Sequence, residues 1–264
     1  MASSMTRSVI SDFTRAARLW RLAIDSAWLD WRRRYSRSAL GVAWVFFMFA
    51  AFVGVKIVVF GNLSPYELNF FAHWLTIGFL LWQFISASMT EGCTVFTGNE
   101  RWIKANVYPF VSFVFQAVCR HTIQLLVSGV FLALLVVFVP VAEPLALLWF
   151  IPGLAIYLIT AVWVQLLLGV IAARFGDIAH LVQTLVRLLF FLTPILWVPG
   201  QFGRFGEIAY YNPLTHYLAI IRDPIVGNGV PLTSWFVVAV ITVLGVALSL
   251  AVFAACRRRI VFWV

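Results

Sequence analysis

Six stretches of nearly uncharged, apolar residues run through this chain, and no soluble domain is read between them. About 20 such residues in a helix cross the hydrocarbon core of a bilayer. Inside lipid every backbone polar group must find its partner within the protein, which helices achieve segment by segment. The sequence therefore predicts an all-α integral membrane protein with six transmembrane helices. Spans are expected near residues 40–60, 70–90, 120–139, 145–173, 178–197 and 234–255. They consume most of the 264 residues, leaving a cytoplasmic segment, 1–38, ahead of one membrane domain, 39–264. Charged residues make up only 11% of the chain, where a soluble domain carries about 25%. Mean hydropathy is +0.97.

The cytoplasmic segment has its own pattern. Val9, Ile10, Phe13, Ala16, Ala17, Trp20, Ile24, Ala27, Trp28 and Trp31 recur at helical spacing, with Arg and Asp on much of the other face. The spacing predicts an amphipathic helix from residue 7 to about 35, lying in the membrane interface. It ends in a basic cluster, Arg32, Arg33, Arg34 and Arg37. That cluster suits a positive-inside anchor and a docking surface for a cytoplasmic partner equally. No cleavable signal peptide is read, since Arg7, Asp12, Arg15 and Arg18 interrupt any apolar run.

The net charge of +9 would suit nucleic acid, but membrane proteins collect Lys and Arg on their cytoplasmic side. The N-terminal segment holds eight Arg, and Arg257, Arg258 and Arg259 follow the last span, against Arg204 and Arg222 outside. Both termini are therefore expected in the cytosol, and no nucleic-acid partner is assigned. Lys56 is expected to snorkel outward from the first span.

The connecting segments follow from that orientation. The loop with Asn62, Ser64, Pro65 and Glu67 is external, and the polar stretch from Glu91 to Asn106 is cytoplasmic. Arg120 and His121 are expected at the inner end of the third span, with 109–119 lining the vestibule or extending the helix. Pro140, Glu143 and Pro144 form an external turn, and Arg174, Gly176 and Asp177 a tight cytoplasmic one. After the fifth span, Pro199, Gly200, Gly203 and Gly206 break the chain. Asn212 and Pro213 then begin a short helix, because Asn caps and Pro suits the first turn. Its apolar face is Leu214, Tyr217, Leu218 and Ile221, and Pro224 and Gly227 end it. One or two short helices resting on, or dipping into, the outer leaflet are expected here.

Catalytic motifs are missing. No GxxxxGK[ST] loop is present to hold nucleotide phosphates. No close pair of carboxylates and no DxD cluster occur in a polar loop. His73, His121, His180 and His216 are scattered, so no metal site is expected. Cys93, Cys119 and Cys256 have no paired spacing and read as packing residues. Ion-coupled carriers keep several acidic residues within their spans, and these spans do not. Arg187 is the clearest intramembrane charge, free to snorkel, to pair across helices or to face a pathway. Aromatics reach 17%. Lipid contact and packing account for most of Trp44, Phe46, Phe47, Phe49, Phe52, Phe190, Phe191 and Trp197. A minority could line a pore, where an aromatic ring suits the C–H face of a sliding sugar.

Four motifs in order carry a resemblance. Arg34-Tyr35-Ser36-Arg37-Ser38-Ala39-Leu40-Gly41-Val42-Ala43-Trp44 resembles the opening of ABC-2 type permeases that export polysaccharides. Arg174-Phe175-Gly176-Asp177-Ile178 is similar to their short cytoplasmic turn. Phe191-Leu192-Thr193-Pro194-Ile195-Leu196 resembles their "TPI" element, and Asn212-Pro213-Leu214 through Arg222-Asp223 their "NPL…R" element. The likeness in layout spans essentially the whole chain.

That resemblance implies a half-transporter without enzymatic activity of its own. Two copies would form the pore, and two copies of a cytoplasmic ATPase would carry the ATP and Mg, leaving no cofactor on this chain. The ATPase would meet the interfacial helix and Leu-Gly loop (Arg34, Tyr35, Leu40, Gly41), a coupling helix from about Thr97 to Asn106 (Asn99, Glu100, Arg101), and the turn with Arg174 and Asp177. The channel would be lined from the first and fifth spans by Trp44, Phe47, Phe52, Arg187, Phe190 and Phe191. A periplasmic gate, about Pro199 to Gly227, would include Asn212, Pro213, Tyr217 and Arg222. The implied cargo is a lipid-linked polysaccharide crossing the bacterial inner membrane. O-antigen is favoured, with capsular polysaccharide or teichoic acid as alternatives. From other classes, a membrane-embedded glycosyl- or acyltransferase would need a polar catalytic cluster, and a small-molecule permease would usually lack the opening around Tyr35 to Trp44.

Overall fold

The computed structural model describes residues 2–36, 38–61, 64–105, 107–141, 144–201 and 203–264. Arg37, Asn62, Asn106 and Glu143 lie outside the described residues. Eleven α-helices are described: α1 (Ala2–Arg18), α2 (Trp20–Arg34), α3 (Ala43–Gly61), α4 (Leu68–Gly92), α5 (Glu100–Lys104), α6 (Phe110–Phe138), α7 (Phe150–Arg174), α8 (Asp177–Leu192), α9 (Arg204–Ala209), α10 (Pro213–Ile225) and α11 (Leu232–Trp263). Short 3₁₀ turns precede α5, α7 and α9, and no strand occurs among the described residues.

Five of these elements are long and apolar enough to cross a membrane: α3, α4, α6, the run Pro144–Arg174 that contains α7, and α11. The expected span at 178–197 folds differently. Its helix, α8, has 16 residues, about 24 Å at 1.5 Å per residue, against a hydrocarbon core of about 30 Å. It stops where Thr193 precedes Pro194, because the residue before proline is pushed out of helical geometry; Thr193 has ψ 134°.

Other boundaries also move. Pro109 adopts extended geometry and starts α6 at Phe110, so 109–119 extends the helix rather than forming a separate vestibule segment. The interfacial segment breaks at Leu19 into two helices. The last helix runs on to Trp263, placing Arg257, Arg258 and Arg259 inside it rather than in a tail. Pro224 lies within the final turn of α10, which ends at Ile225 ahead of the left-handed Gly227.

Helix α4 is the axis of the bundle. Every residue from Phe71 to Trp82 is buried, and α4 packs against α3, α6, α7, α8 and α10. The most extensive pairing joins α7 to α11, where Gly245 lies against the Trp163 ring. Close approach of helices over small residues is how spans associate without a hydrophobic driving force.

The α1–α2 arm lies along α6. Its apolar residues divide into two faces. Val9, Ala16, Ala23, Ala27 and Trp31 are buried against the bundle, while Ile10, Trp20, Leu22, Ile24 and Trp28 point outward. The outward set suits insertion among lipid headgroups and acyl chains. Asp12, buried in the arm, accepts the backbone N–H of Val111 and pairs with Arg257 at 2.9 Å, tying the arm to α6 and α11.

Candidate functional site

Helix α8 carries an exposed polar stripe. Asp177, His180, Gln183, Thr184 and Arg187 are exposed, and only Val182 and Val186 are buried. A stripe of that polarity on an otherwise apolar helix belongs against protein or water, not acyl chains. Its Gln183 and Arg187 share a groove with one wall of α4, where Gln83, Ser86 and Thr90 recur at helical spacing. Together with Gln124 of α6 and Arg34 at the end of α2, these side chains enclose an open groove of about 540 Å³. The Ser86 and Thr90 hydroxyls donate to backbone carbonyls one turn back. The Gln83 side-chain carbonyl oxygen is buried without a partner. The structure thus brings together Arg34 and Arg187, which the sequence assigns to different jobs. Among the described residues neither has a carboxylate within ion-pairing distance.

The acid on the groove wall, Glu91, is already engaged. It accepts from Arg120 at 3.3 Å and from His121 Nε2 at 3.0 Å. Ser88 and Gln165 lie 3.5 and 3.4 Å from His121 Nδ1. A neutral ring with its proton on Nε2 satisfies all three contacts. Arg120 also pairs with Asp30 of α2 at 3.2 Å, and Asp30 accepts from Gln116 at 3.0 Å. Trp31 donates to the Arg120 carbonyl. This clasp ties the interfacial arm to α4 and α6.

Arg120→Ala is expected to loosen the arm. The two lost ion pairs are partly exposed and contribute about 1–2 kcal/mol together, a five- to thirty-fold rise in arm opening. Trypsin should then cut the Arg32–Arg34 run faster by about that factor. An unchanged cleavage rate would mean the clasp does not hold the arm.

Above the groove the lining becomes aromatic. Phe52 of α3 contacts Phe79 of α4 at 5.1 Å between ring centres, and Phe79 contacts Phe190 of α8 at 5.4 Å. Phe190 also meets Trp82 and Phe191. Arg187 sits one turn before Phe190 and Phe191 on α8. Lys56 does not snorkel outward; its ammonium lies 3.7 Å from the Phe52 ring centre and 5.5 Å from that of Phe79, a cation–π arrangement. Phe47 packs on Phe46, and Trp44 is exposed on α3. Sequence reasoning missed Gln83, Gln124, Gln183, Phe79 and Trp82. The available signal was the change along one span of α4 from Phe79 and Trp82 to Gln83, Ser86 and Thr90.

The expected gate residues fasten α10 into the bundle. Asn212 caps the helix by accepting the Leu214 N–H at 3.0 Å and donates to Thr193 Oγ1 at 2.9 Å. Pro213 occupies the first helical position. Tyr217 is buried, with its hydroxyl 3.1 Å from Thr242 and 3.2 Å from Thr160. Arg222, 1% exposed, lies 3.3 Å from the Trp74 ring centre. It donates to the Pro194 carbonyl and pairs with Asp223 at 3.5 Å. Trp74 donates to the Trp197 carbonyl. The turn Thr193–Trp197 is therefore held from α10 and α4 at once. Residues Thr215 to Arg222 are all buried, so this helix sits inside the protein rather than resting on a leaflet.

The expected coupling residues are mostly exposed at the end of the molecule where α5 and Arg174 meet the last turns of α11. Glu100 pairs with Lys104 at 2.6 Å, which holds its carboxyl below the usual carboxylate range. Asn99 donates to the Val95 carbonyl, and Arg101 is exposed. Arg174 lies over Phe175 and Trp263, and Asp177 opens α8. Tyr35 stacks on Trp31 at 5.4 Å, Leu40 is exposed, and Gly41 adopts φ 54°, a left-handed geometry that favours glycine. Among the described residues no three His, Cys, Asp or Glu gather as metal ligands. Burial pushes the Cys93 thiol up to about 11, which keeps it in the unreactive protonated form.

Residues 23–226 match the family described as ABC-2 type transporter. Two proteins named O-antigen export system permease protein RfbA, both from Klebsiella pneumoniae, are 24% and 25% identical to the chain over 196 and 197 residues. Those segments cover 74% of this chain and 76% of each relative.

Proposed function

Because the chain belongs to the ABC-2 type transporter family, we propose that it is the membrane subunit of an ATP-driven exporter carrying a lipid-linked polysaccharide, an O-antigen, across the bacterial inner membrane. One observation carries this reading: a cationic, amide-lined groove that continues into a run of aromatic rings along α3, α4 and α8. Amides and hydroxyls exchange hydrogen bonds with sugar hydroxyls. Ring faces accept a pyranose without tight directional demands, so a polymer can advance along them. The names borne by the two relatives support the same cargo class.

On this reading two copies face each other across the path, with α3 and α8 toward it. Helix α8 and the turn Thr193–Trp197 together make the sixth crossing, and both termini are cytoplasmic. The chain holds no phosphate loop, so hydrolysis falls to two copies of a separate ATPase. These dock on α5, the arm and the Arg174–Asp177 turn. Closure of the ATPases pushes α5. The clasp from Glu91 through Arg120 to Asp30 passes that displacement to α4, α6 and the arm, and the walls of the path part.

Purification of the tagged protein from its native membrane should retain that ATPase. Glu100→Ala combined with Arg101→Ala should lower export and stimulated hydrolysis about tenfold or more, since few contacts dominate an interface. Both side chains are exposed, so folded yield should not change. Full export and full stimulation in the double variant would remove α5 from the coupling path.

A further inference from the structure

We propose that Arg34 and Arg187 form a binding site for the phosphate that joins a lipid carrier to its glycan. This rests on the export reading above and narrows it to one atom group of the cargo. Both arginines line the same groove. Neither is neutralised by an acid among the described residues. The carboxylate nearest in the lining, Glu91, is shared between Arg120 and His121. The remaining polar wall is uncharged: Gln83, Gln124 and Gln183 offer amide donors. Both side chains are exposed, and two like charges sharing one groove repel each other. An anion between them relieves that repulsion.

Phosphate chemistry fits the donors. Guanidinium groups bind phosphate oxygens through paired, charge-assisted hydrogen bonds. Arg34 closes an interfacial helix whose outward Trp20, Ile24 and Trp28 suit headgroup depth. A lipid phosphate moving in its leaflet therefore reaches Arg34 without leaving that depth. Arg187 lies deeper along the path, one turn from Phe190 and Phe191. An anion held between the two arginines leaves its glycan beside the aromatic run and its lipid tail at the open side of the groove.

The test uses the full chain in detergent with farnesyl diphosphate as probe, and farnesol and inorganic diphosphate as comparators. The wild type should bind farnesyl diphosphate, more weakly as salt rises, and should not bind farnesol. Arg34→Gln and Arg187→Gln should each weaken binding about tenfold, and together about a hundredfold, with part retained in Arg187→Lys. Unchanged binding in the folded double variant, or farnesol binding as tightly as the diphosphate, would overturn the site. Inorganic diphosphate binding as tightly as farnesyl diphosphate would overturn the assignment to a lipid head. If a Gln variant does not fold, binding by the wild type that ignores salt overturns the site just as well. Surface glycan is followed in cells with the same variants. Normal export with the double variant removes this site alone, whereas unchanged surface glycan in a strain lacking the chain removes the export reading itself.

Discussion

Arg222→Ala is expected to lower the thermal stability of the purified protein sharply and to abolish export. Three interactions go at once: the stack on Trp74, the bond to the Pro194 carbonyl, and the pair with Asp223. Asp223, still 21% exposed in its side chain, loses its cation but keeps some solvent. The cost therefore falls near the low end of the about 3–5 kcal/mol that follows breaking a buried pair. The Thr193–Trp197 turn also loses its anchor to α10. Arg222→Lys should recover only part, because a point charge cannot lie flat on the indole and reach the carbonyl in the same pose. Melting curves and export for the three forms give the check. A melting temperature for Arg222→Ala within a degree or so of wild type would show that this contact does not hold the turn.

Gly245→Val should be the next most damaging. A Cβ at this position would come 2.5 Å from the Trp163 ring, with two further ring atoms almost as close. An indole packed between helices has nowhere cheap to go, and overfilling a packed site costs about 1–3 kcal/mol. The loss falls on the α7–α11 contact, the broadest helix pairing in the fold. Gly54→Val is the matched control, since a Cβ there meets nothing within 4 Å. Folded yield and melting temperature should drop for the first and stay level for the second. Equal behaviour would mean that α7 and α11 can slide apart without penalty.

Apolar length made most of the bundle readable in advance, because lipid imposes one rule on every span. The start of α10 was also readable, since Asn212 and Pro213 act within a single turn. What escaped depends on contacts between distant segments. The apolar residues of the arm look alike in a helical projection, yet Ala23 and Ala27 face protein while Trp20 and Trp28 face outward. The deciding factor is the close approach of α6, which admits alanine and excludes most indoles. Arg222 read as an external charge, but Trp74 and Pro194 give it a buried place. Asp12 and Arg257 sit at opposite ends of the chain, and no local spacing announces their pair. The groove was hidden for the same reason. Its polar residues come from α2, α4, α6 and α8, and each helix contributes too few to stand out alone. The short α8 was missed because a count of apolar residues continues through Thr193 and Pro194, whereas a helix does not.

The export reading stands or falls on where the glycan goes when this chain is removed. Lipid-linked glycan should be measured on both faces of the inner membrane in a strain lacking the chain. Glycan should be made and trapped on the cytoplasmic face, with surface polymer lost. Unchanged surface polymer, or no lipid-linked glycan on either face, would contradict the export reading.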